Sequence, residues 1–173
     1  MKRTVLTFGL ISGAIASALM ALSISFLGNL DYHTAELLGY TSIVIAMLVT
    51  FFGVRSYREN VAGGRMTFVR GLAVGLLITV VSCTCYVVTW QVLYYGVPGI
   101  PDKLKACMAR KAEDSGGSPE QIAEEKRKVE AMVKMFENPV LNVALTFVEP
   151  FPIGLAMSLL SAAVLRKRGQ SPL

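Results

Sequence analysis

Charged residues and histidine are scarce in this chain of 173 residues. Only 17% of the residues are charged, whereas soluble domains usually carry about 25%, and this excludes an ordinary soluble globular domain. His33 is the only histidine, which excludes a histidine-rich zinc site. The sequence contains no GxSxG, HExxH, Walker-type or dinucleotide-binding motif, so none of the catalytic classes that these motifs define is indicated.

Cysteine is nearly as rare, with three residues in the chain. Cys83 and Cys85 lie two positions apart, so in a helix they face different directions and cannot bind one metal ion together. We expect both to be packing residues. Cys107 has no evident partner, and we expect a free thiol, with a bridge between two chains as the open alternative.

Long apolar runs are the dominant feature that the chain does have, and 53% of its residues are hydrophobic. Four runs cover about residues 4–28, 35–54, 71–95 and 141–165. An α-helix needs about 20 residues to cross a hydrocarbon layer roughly 30 Å thick. The sequence therefore predicts an all-α membrane protein, a single membrane domain over residues 1–173 in which four transmembrane helices form a compact bundle.

The first run begins like a secretory signal, with Met-Lys-Arg and an A-x-A sequence at residues 16–18. It continues to Phe26 and Leu27, beyond the roughly 7–15 apolar residues of a signal core. We therefore expect an uncleaved first span.

Basic residues are concentrated beside the ends of the apolar runs. Nine of them, with the single acid Glu59, flank one side of the predicted membrane: Lys2, Arg3, Arg55, Arg58, Arg65, Arg70, Arg166, Lys167 and Arg168. Loops rich in Lys and Arg stay in the cytoplasm, so we predict cytoplasmic termini (N-in/C-in) and a partly helical outer loop over residues 96–138. The net charge of +5 orients the protein and attracts headgroups of the lipid bilayer, and nucleic-acid binding is not indicated.

Small residues recur at four-residue spacing within the apolar runs. The glycines in this pattern are Gly9, Gly13, Gly71, Gly75 and Gly154. Lipid supplies little hydrophobic drive between helices, so small residues that let backbones approach closely mark packed interfaces. We predict helix packing at these positions, either within one subunit or against a second copy or a membrane protein partner.

The outer loop carries two helix signals. We predict a short helix near residues 102–112, and a second that starts at Ser118-Pro119-Glu120-Gln121 with a capping box and runs to about Phe136. The second helix has an apolar stripe, which either lies on the membrane surface or the mouth of the bundle, or docks a partner. Both interpretations remain open.

Glu149 is the only acid in the interior of an apolar run, since Glu36 lies at the very start of the second, and it stands between Phe147-Val148 and Pro150-Phe151-Pro152. An ionisable residue in hydrocarbon is costly and is a functional candidate by default, although a wet, broken helix entrance is an equally physical explanation. Tyr86, Trp90 and Gln91 of the third run fall at a matching height, and we predict Gln91 as its hydrogen-bond partner.

The first connection between runs offers a weaker candidate site. Asp31, His33 and Glu36 have a spacing that could supply oxygen and nitrogen ligands to a divalent ion. Three polar residues in a short loop are more often just a loop, and we predict neither a metal nor a cofactor.

A segment of the last run, residues 152–162 (PIGLAMSLLSA), followed by Arg166-Lys167-Arg168, is the most distinctive part of a family resemblance. The chain resembles an uncharacterised family of small bacterial four-helix integral membrane proteins, classed as a domain of unknown function. The resemblance implies a location in the bacterial inner membrane and no known activity. From the residues, the leading hypothesis is a non-enzymatic accessory or interaction subunit. The alternatives are a channel-like or transporter homo-oligomer with Glu149 at its outer entrance, and a membrane enzyme that acts on a lipid-linked substrate with Glu149 as acid/base, for which a second catalytic group is lacking.

Overall fold

The computed structural model describes residues 1–26, 32–114 and 118–166. All regular elements in these ranges are helices: α1 (Lys2–Phe26), α2 (Tyr32–Asn60), α3 (Phe68–Gly96), α4 (Ile100–Asp114), α5 (Pro119–Glu137), α6 (Pro139–Val148) and α7 (Phe151–Leu165). Four helical stretches are long and apolar enough to cross a membrane, namely α1, α2, α3 and the stretch from Pro139 to Leu165 that joins α6 and α7. The prediction of an all-helical chain with four apolar spans is therefore confirmed.

The ends of the spans differ from the predicted limits for local reasons. The second span continues to Asn60 rather than ending at residue 54, so Arg55 and Glu59 form an ion pair of 3.0 Å on the helix itself. Because the side chain of Asn138 accepts hydrogen bonds from the first backbone N–H groups of α6, the fourth span begins at Pro139, two residues earlier than expected.

Helix α3 is the centre of the packing. It contacts α1, α2 and α7 along the spans and also touches α4 and α6, whereas among the described residues the backbones of α1 and α7 do not approach each other closely. The starts of α1 and α3 and the ends of α2 and α7 pack together through Val5, Tyr57, Val74 and Leu165; we call this the basic end. The opposite end, which we call the aromatic end, contains Tyr86, Trp90, Tyr94 and Phe136.

The spans approach closely at the glycines that the sequence singles out. A Cβ atom added to Gly13 would lie 2.5 Å from the Cβ atom of Cys85, and one added to Gly75 would lie 2.9 Å from that of Ser158. Similar obstruction meets a Cβ atom at three further positions: Gly9 against Val81, Gly71 against Met66 and Ala162, and Gly154 against Thr79. These contacts lie within one chain, and packing between subunits stays a prediction.

Buried hydroxyl groups connect the spans near their middle. The hydroxyl of Ser12 on α1 donates to the carbonyl of Ala46 on α2 at 2.8 Å, and it lies 2.9 Å from the hydroxyl of Ser82 on α3. On the other side of α3, the hydroxyl of Thr79 donates to the carbonyl of Gly154 at 3.2 Å. Such bonds satisfy polar groups that would otherwise be stranded in an apolar interior.

Helices α4 and α5 form a hairpin between the third and fourth spans. Both hydrogen bonds of the capping box are present, since Ser118 accepts from the backbone of Gln121 and the Gln121 side chain accepts from the backbone of Ser118. An ion pair of 3.0 Å between Lys105 and Glu137 joins the two helices. Cys107 is buried on α4, so part of the hairpin's apolar surface is covered by the chain itself.

Candidate functional site

The candidate site lies where the fourth span is interrupted between α6 and α7. Pro150 and Pro152 have no N–H group, so the carbonyls of Thr146 and Val148 lack their usual helical donors. Hydrogen bonding continues on both sides of the interruption, with the N–H of Glu149 donating to Leu145 at 3.1 Å and that of Gly154 donating to Pro150 at 3.0 Å. The sequence Glu-Pro-Phe-Pro thus weakens the helix without ending the span.

Glu149 lies at this interruption and is an exposed residue. Its Oε2 atom accepts a hydrogen bond of 3.3 Å from the hydroxyl of Tyr86, a residue that is only 8% exposed. From Glu149 to Arg166 is about 25 Å of helix at roughly 1.5 Å per residue, so the carboxyl lies in the outer third of a hydrocarbon layer about 30 Å thick, toward the aromatic end. One long hydrogen bond leaves most of the accepting capacity of a carboxylate open.

Asn142 lies two helical turns before Glu149 and is completely buried. Its Oδ1 atom accepts from the indole Nε1 of Trp90 at 2.8 Å and from the amide Nε2 of Gln91 at 3.0 Å. Its Nδ2 atom donates to the carbonyl of Phe136 at 2.8 Å. A single amide therefore ties α3 to α6 and to the end of α5, and its bonding groups are all engaged inside the chain.

Aromatic rings pack around this amide. The ring centroid of Trp90 lies 5.6 Å from that of Tyr94 and 6.3 Å from that of Phe136. The rings of Phe147 and Phe151 stack across the interruption at 5.7 Å. The contact between Trp90 and Phe136 joins α3 to the end of α5, beside the amide that both residues bond.

The predicted site residues divide into two groups. Tyr86 contacts Glu149, whereas Trp90 and Gln91 contact Asn142, so Gln91 is not the hydrogen-bond partner of Glu149 that the sequence suggested. Asn142 was missed because it lies beside the predicted start of the span at residue 141, where a polar residue is ordinary. One pattern in the sequence could have identified Asn142: an Asn within the fourth apolar run, at the height of the Trp90-Gln91 pair in the third run.

The weak metal candidates give no site in the part of the chain that the structure describes. Asp31 lies outside the described residues, and His33 is exposed on α2 with Glu36 one turn further along. Within the described ranges no group of three His, Cys, Asp or Glu residues could hold a metal ion. The arrangement at Glu149 can instead accept hydrogen bonds, a proton or a cationic side chain from outside the chain.

Four apolar helical spans and a carboxyl at the interruption of the last one define an integral membrane protein. The family model of DUF4199, described as a protein of unknown function, matches residues 7–167, and the chain belongs to this family. The resemblance to an uncharacterised family drawn from the last span is thereby confirmed. Comparisons with curated proteins and with solved structures gave no match.

Proposed function

We propose that this chain is a non-enzymatic protein of the bacterial inner membrane, with both termini in the cytoplasm, that acts as an accessory or interaction subunit for another membrane protein. The observation that supports the proposal best is Glu149 on the fourth span, an exposed residue whose carboxyl receives one hydrogen bond, from Tyr86. The α4–α5 hairpin would then lie on the outer side.

The energetic argument starts from the cost of a carboxyl at this depth. A charged residue at the centre of a transmembrane helix costs about 2.5–3.5 kcal/mol on insertion scales, and the cost falls toward the helix ends. The hydroxyl of Tyr86, at 3.3 Å, offsets only part of this cost, and the residue is still exposed. A partner span that covers Glu149 with a Lys or Arg side chain would remove the exposed carboxyl from lipid and satisfy its remaining oxygen positions.

Photo-crosslinking in the intact membrane tests the proposal. A photoreactive residue placed at Val148, which is 60% exposed beside Glu149, should crosslink to one defined membrane protein. The matched control is the same residue at Leu160, which is 58% exposed on the same span but nearer the basic end. We expect the adduct from position 148 and not from position 160, and mass spectrometry of the adduct identifies the partner.

Charge dependence separates recognition from mere proximity. Glu149→Gln keeps the shape of the side chain and removes its charge, so the adduct should fall strongly while the amount of folded protein stays constant. An adduct that forms equally at both positions, or that ignores Glu149→Gln, would count against the proposal.

A second candidate, a homo-oligomeric transporter or channel with Glu149 at its outer entrance, is favoured by one observation. The prolines at positions 150 and 152 leave the carbonyls of Thr146 and Val148 without their helical donors in the same stretch of the span as Glu149, and such carbonyls favour a wet path. In this case the adduct from position 148 should contain two copies of this chain. Proteoliposomes should also show solute or ion flux that Glu149→Gln abolishes.

A further inference from the structure

The basic end of the molecule brings cations from all four spans together. Its packing joins the start of α1, the end of α2, the start of α3 and the end of α7. The described cations that flank it are Lys2, Arg3, Arg55, Arg58, Arg65, Arg70 and Arg166, with Glu59 as the accompanying acid. The end therefore carries a strong excess of positive charge on adjoining helix ends.

Arg58 differs from Arg55 because its side chain is largely buried at the basic end. Its side chain is 15% exposed, whereas that of Arg55 one turn earlier is 54% exposed. The Nη2 atom of Arg58 and the Nε atom of Arg55 both lie 3.0 Å from the same oxygen, Oε1 of Glu59. One carboxylate thus serves two guanidinium groups, and one positive charge remains without compensation.

The Nε atom of Arg58 is buried and has no hydrogen-bond partner among the described residues. A buried donor without an acceptor costs about 1–3 kcal/mol, more when it is charged. The chain by itself therefore leaves the Arg58 guanidinium partly unsatisfied, and an anion that reached this group would supply the missing acceptor.

The turn between α2 and α3 folds back onto the backbone of Arg58. The N–H of Gly64 donates to the carbonyl of Arg58 at 2.8 Å. Gly63 and Gly64 have φ angles of 64° and 81°, and a Cβ atom added to either would meet nothing within 4 Å. The turn that follows Arg58 is therefore uncrowded at these two positions.

We infer that Arg58, with the turn that follows it, forms a binding site for an anionic phosphate group, and that a phospholipid headgroup supplies it. A guanidinium matches phosphate with two parallel N–H bonds, which an ammonium cannot do. Basic pockets at the ends of transmembrane helices bind acidic headgroups in this way. The lipid is favoured over free phosphate because the site lies at the end of membrane spans, at headgroup height.

Native mass spectrometry of the full chain in nanodiscs tests the inference independently of topology, because both leaflets have the same composition. Phosphatidylglycerol should be retained in preference to phosphatidylcholine. Arg58→Gln should reduce the retained phosphatidylglycerol by about ten-fold or more, the worth of a charge-assisted hydrogen bond. Arg55→Gln is the matched control, which removes the other guanidinium on Glu59 and should cost less than about five-fold.

Three outcomes would overturn the inference. Equal losses for the two variants would show a diffuse attraction in place of a site, and equal retention of both lipids in the unmodified chain would show no site. Displacement of the lipid by inorganic phosphate would assign the site to a free anion. If Arg58→Gln does not fold, Arg58→Lys serves instead, because it keeps the charge and removes the paired N–H donors of the guanidinium. It should reduce the retained phosphatidylglycerol by less than the loss expected for Arg58→Gln.

Discussion

Asn142 and Glu149 are two polar residues on one face of the fourth span, since seven residues make about two helical turns. Asn142 is completely buried, and Trp90, Gln91 and Phe136 engage its amide. Glu149 is exposed and receives one hydrogen bond, from Tyr86. The difference arises because both α3 and the end of α5 bond Asn142, whereas the one described hydrogen bond to the side chain of Glu149 comes from Tyr86 of α3.

This difference distinguishes two uses of a polar residue in a membrane. A group whose hydrogen-bonding capacity is filled by its own chain contributes to the fold, and its removal strands the partners that it served. A group whose capacity is left open toward the outside contributes little to the isolated chain and is available to something else. We therefore assign Asn142 to stability and propose Glu149 for recognition.

The largest effect is expected from Asn142→Leu. The substitution leaves the indole N–H of Trp90, the amide of Gln91 and the carbonyl of Phe136 without their partner. We expect the free energy of unfolding to fall by about 2–4 kcal/mol, since each stranded buried group costs about 1–3 kcal/mol and some relaxation is available. Thermal unfolding of the purified chain in mild detergent measures it.

Hydrogen exchange gives the control for this experiment. The loss should be accompanied by faster exchange at the start of α6 and the end of α5, where Asn142 makes its bonds. A small loss of stability with unchanged exchange in both regions would show that Asn142 does not hold α3, α5 and α6 together. The assignment of Asn142 to stability would then be wrong.

A smaller effect is expected at Gly154, just after the interruption. An added Cβ atom would collide with the side chain of Thr79 on α3, so Gly154→Ala should destabilise by about 1–3 kcal/mol through overpacking. Gly39 on α2 is the matched control, because a Cβ atom there meets nothing within 4 Å. Gly39→Ala should be neutral or stabilise by up to about 1 kcal/mol through helix propensity.

The same thermal measurement decides between the two glycines. A Gly154→Ala variant as stable as Gly39→Ala would mean that α7 moves freely against α3. The packing of α7 against α3 would then not fix the position of Glu149, and the exposure of Glu149 would say less about its role.

Cysteine labelling tests the side of the membrane on which the hairpin lies, and with it the leaflet of Glu149. Cys107 is a poor reporter because it is buried, and burial also raises the pKa of its thiol, so less of the reactive thiolate exists at neutral pH. We expect slow labelling of Cys107 that quickens as the pH rises.

The better reporter is Lys103→Cys in a Cys107→Ala background, because Lys103 is exposed on the same helix. A membrane-impermeant maleimide should label it in intact spheroplasts. Labelling only after lysis would place the hairpin in the cytoplasm and reverse the proposed topology.

Sequence reasoning found the spans and the single intramembrane acid because both follow from local composition. Twenty apolar residues or one Glu among them can be counted without knowing what lies nearby. It paired Gln91 with the wrong residue, because height along a helix does not determine which of two polar groups on the facing span is nearer. It overlooked Asn142 because the burial of that residue depends on the end of α5, a contact across the hairpin that no periodicity reports.

The most direct test of the central claim is a comparison of Glu149→Leu with Asn142→Leu in the purified chain, without any partner. If Glu149 is reserved for recognition, its replacement by leucine should lower the free energy of unfolding by no more than about 1 kcal/mol, because only the hydroxyl of Tyr86 loses a partner, through one long hydrogen bond. The same variant should lose the crosslink from position 148 in the membrane. A loss of stability as large as that of Asn142→Leu would show that Glu149 holds the fold together and would contradict the account.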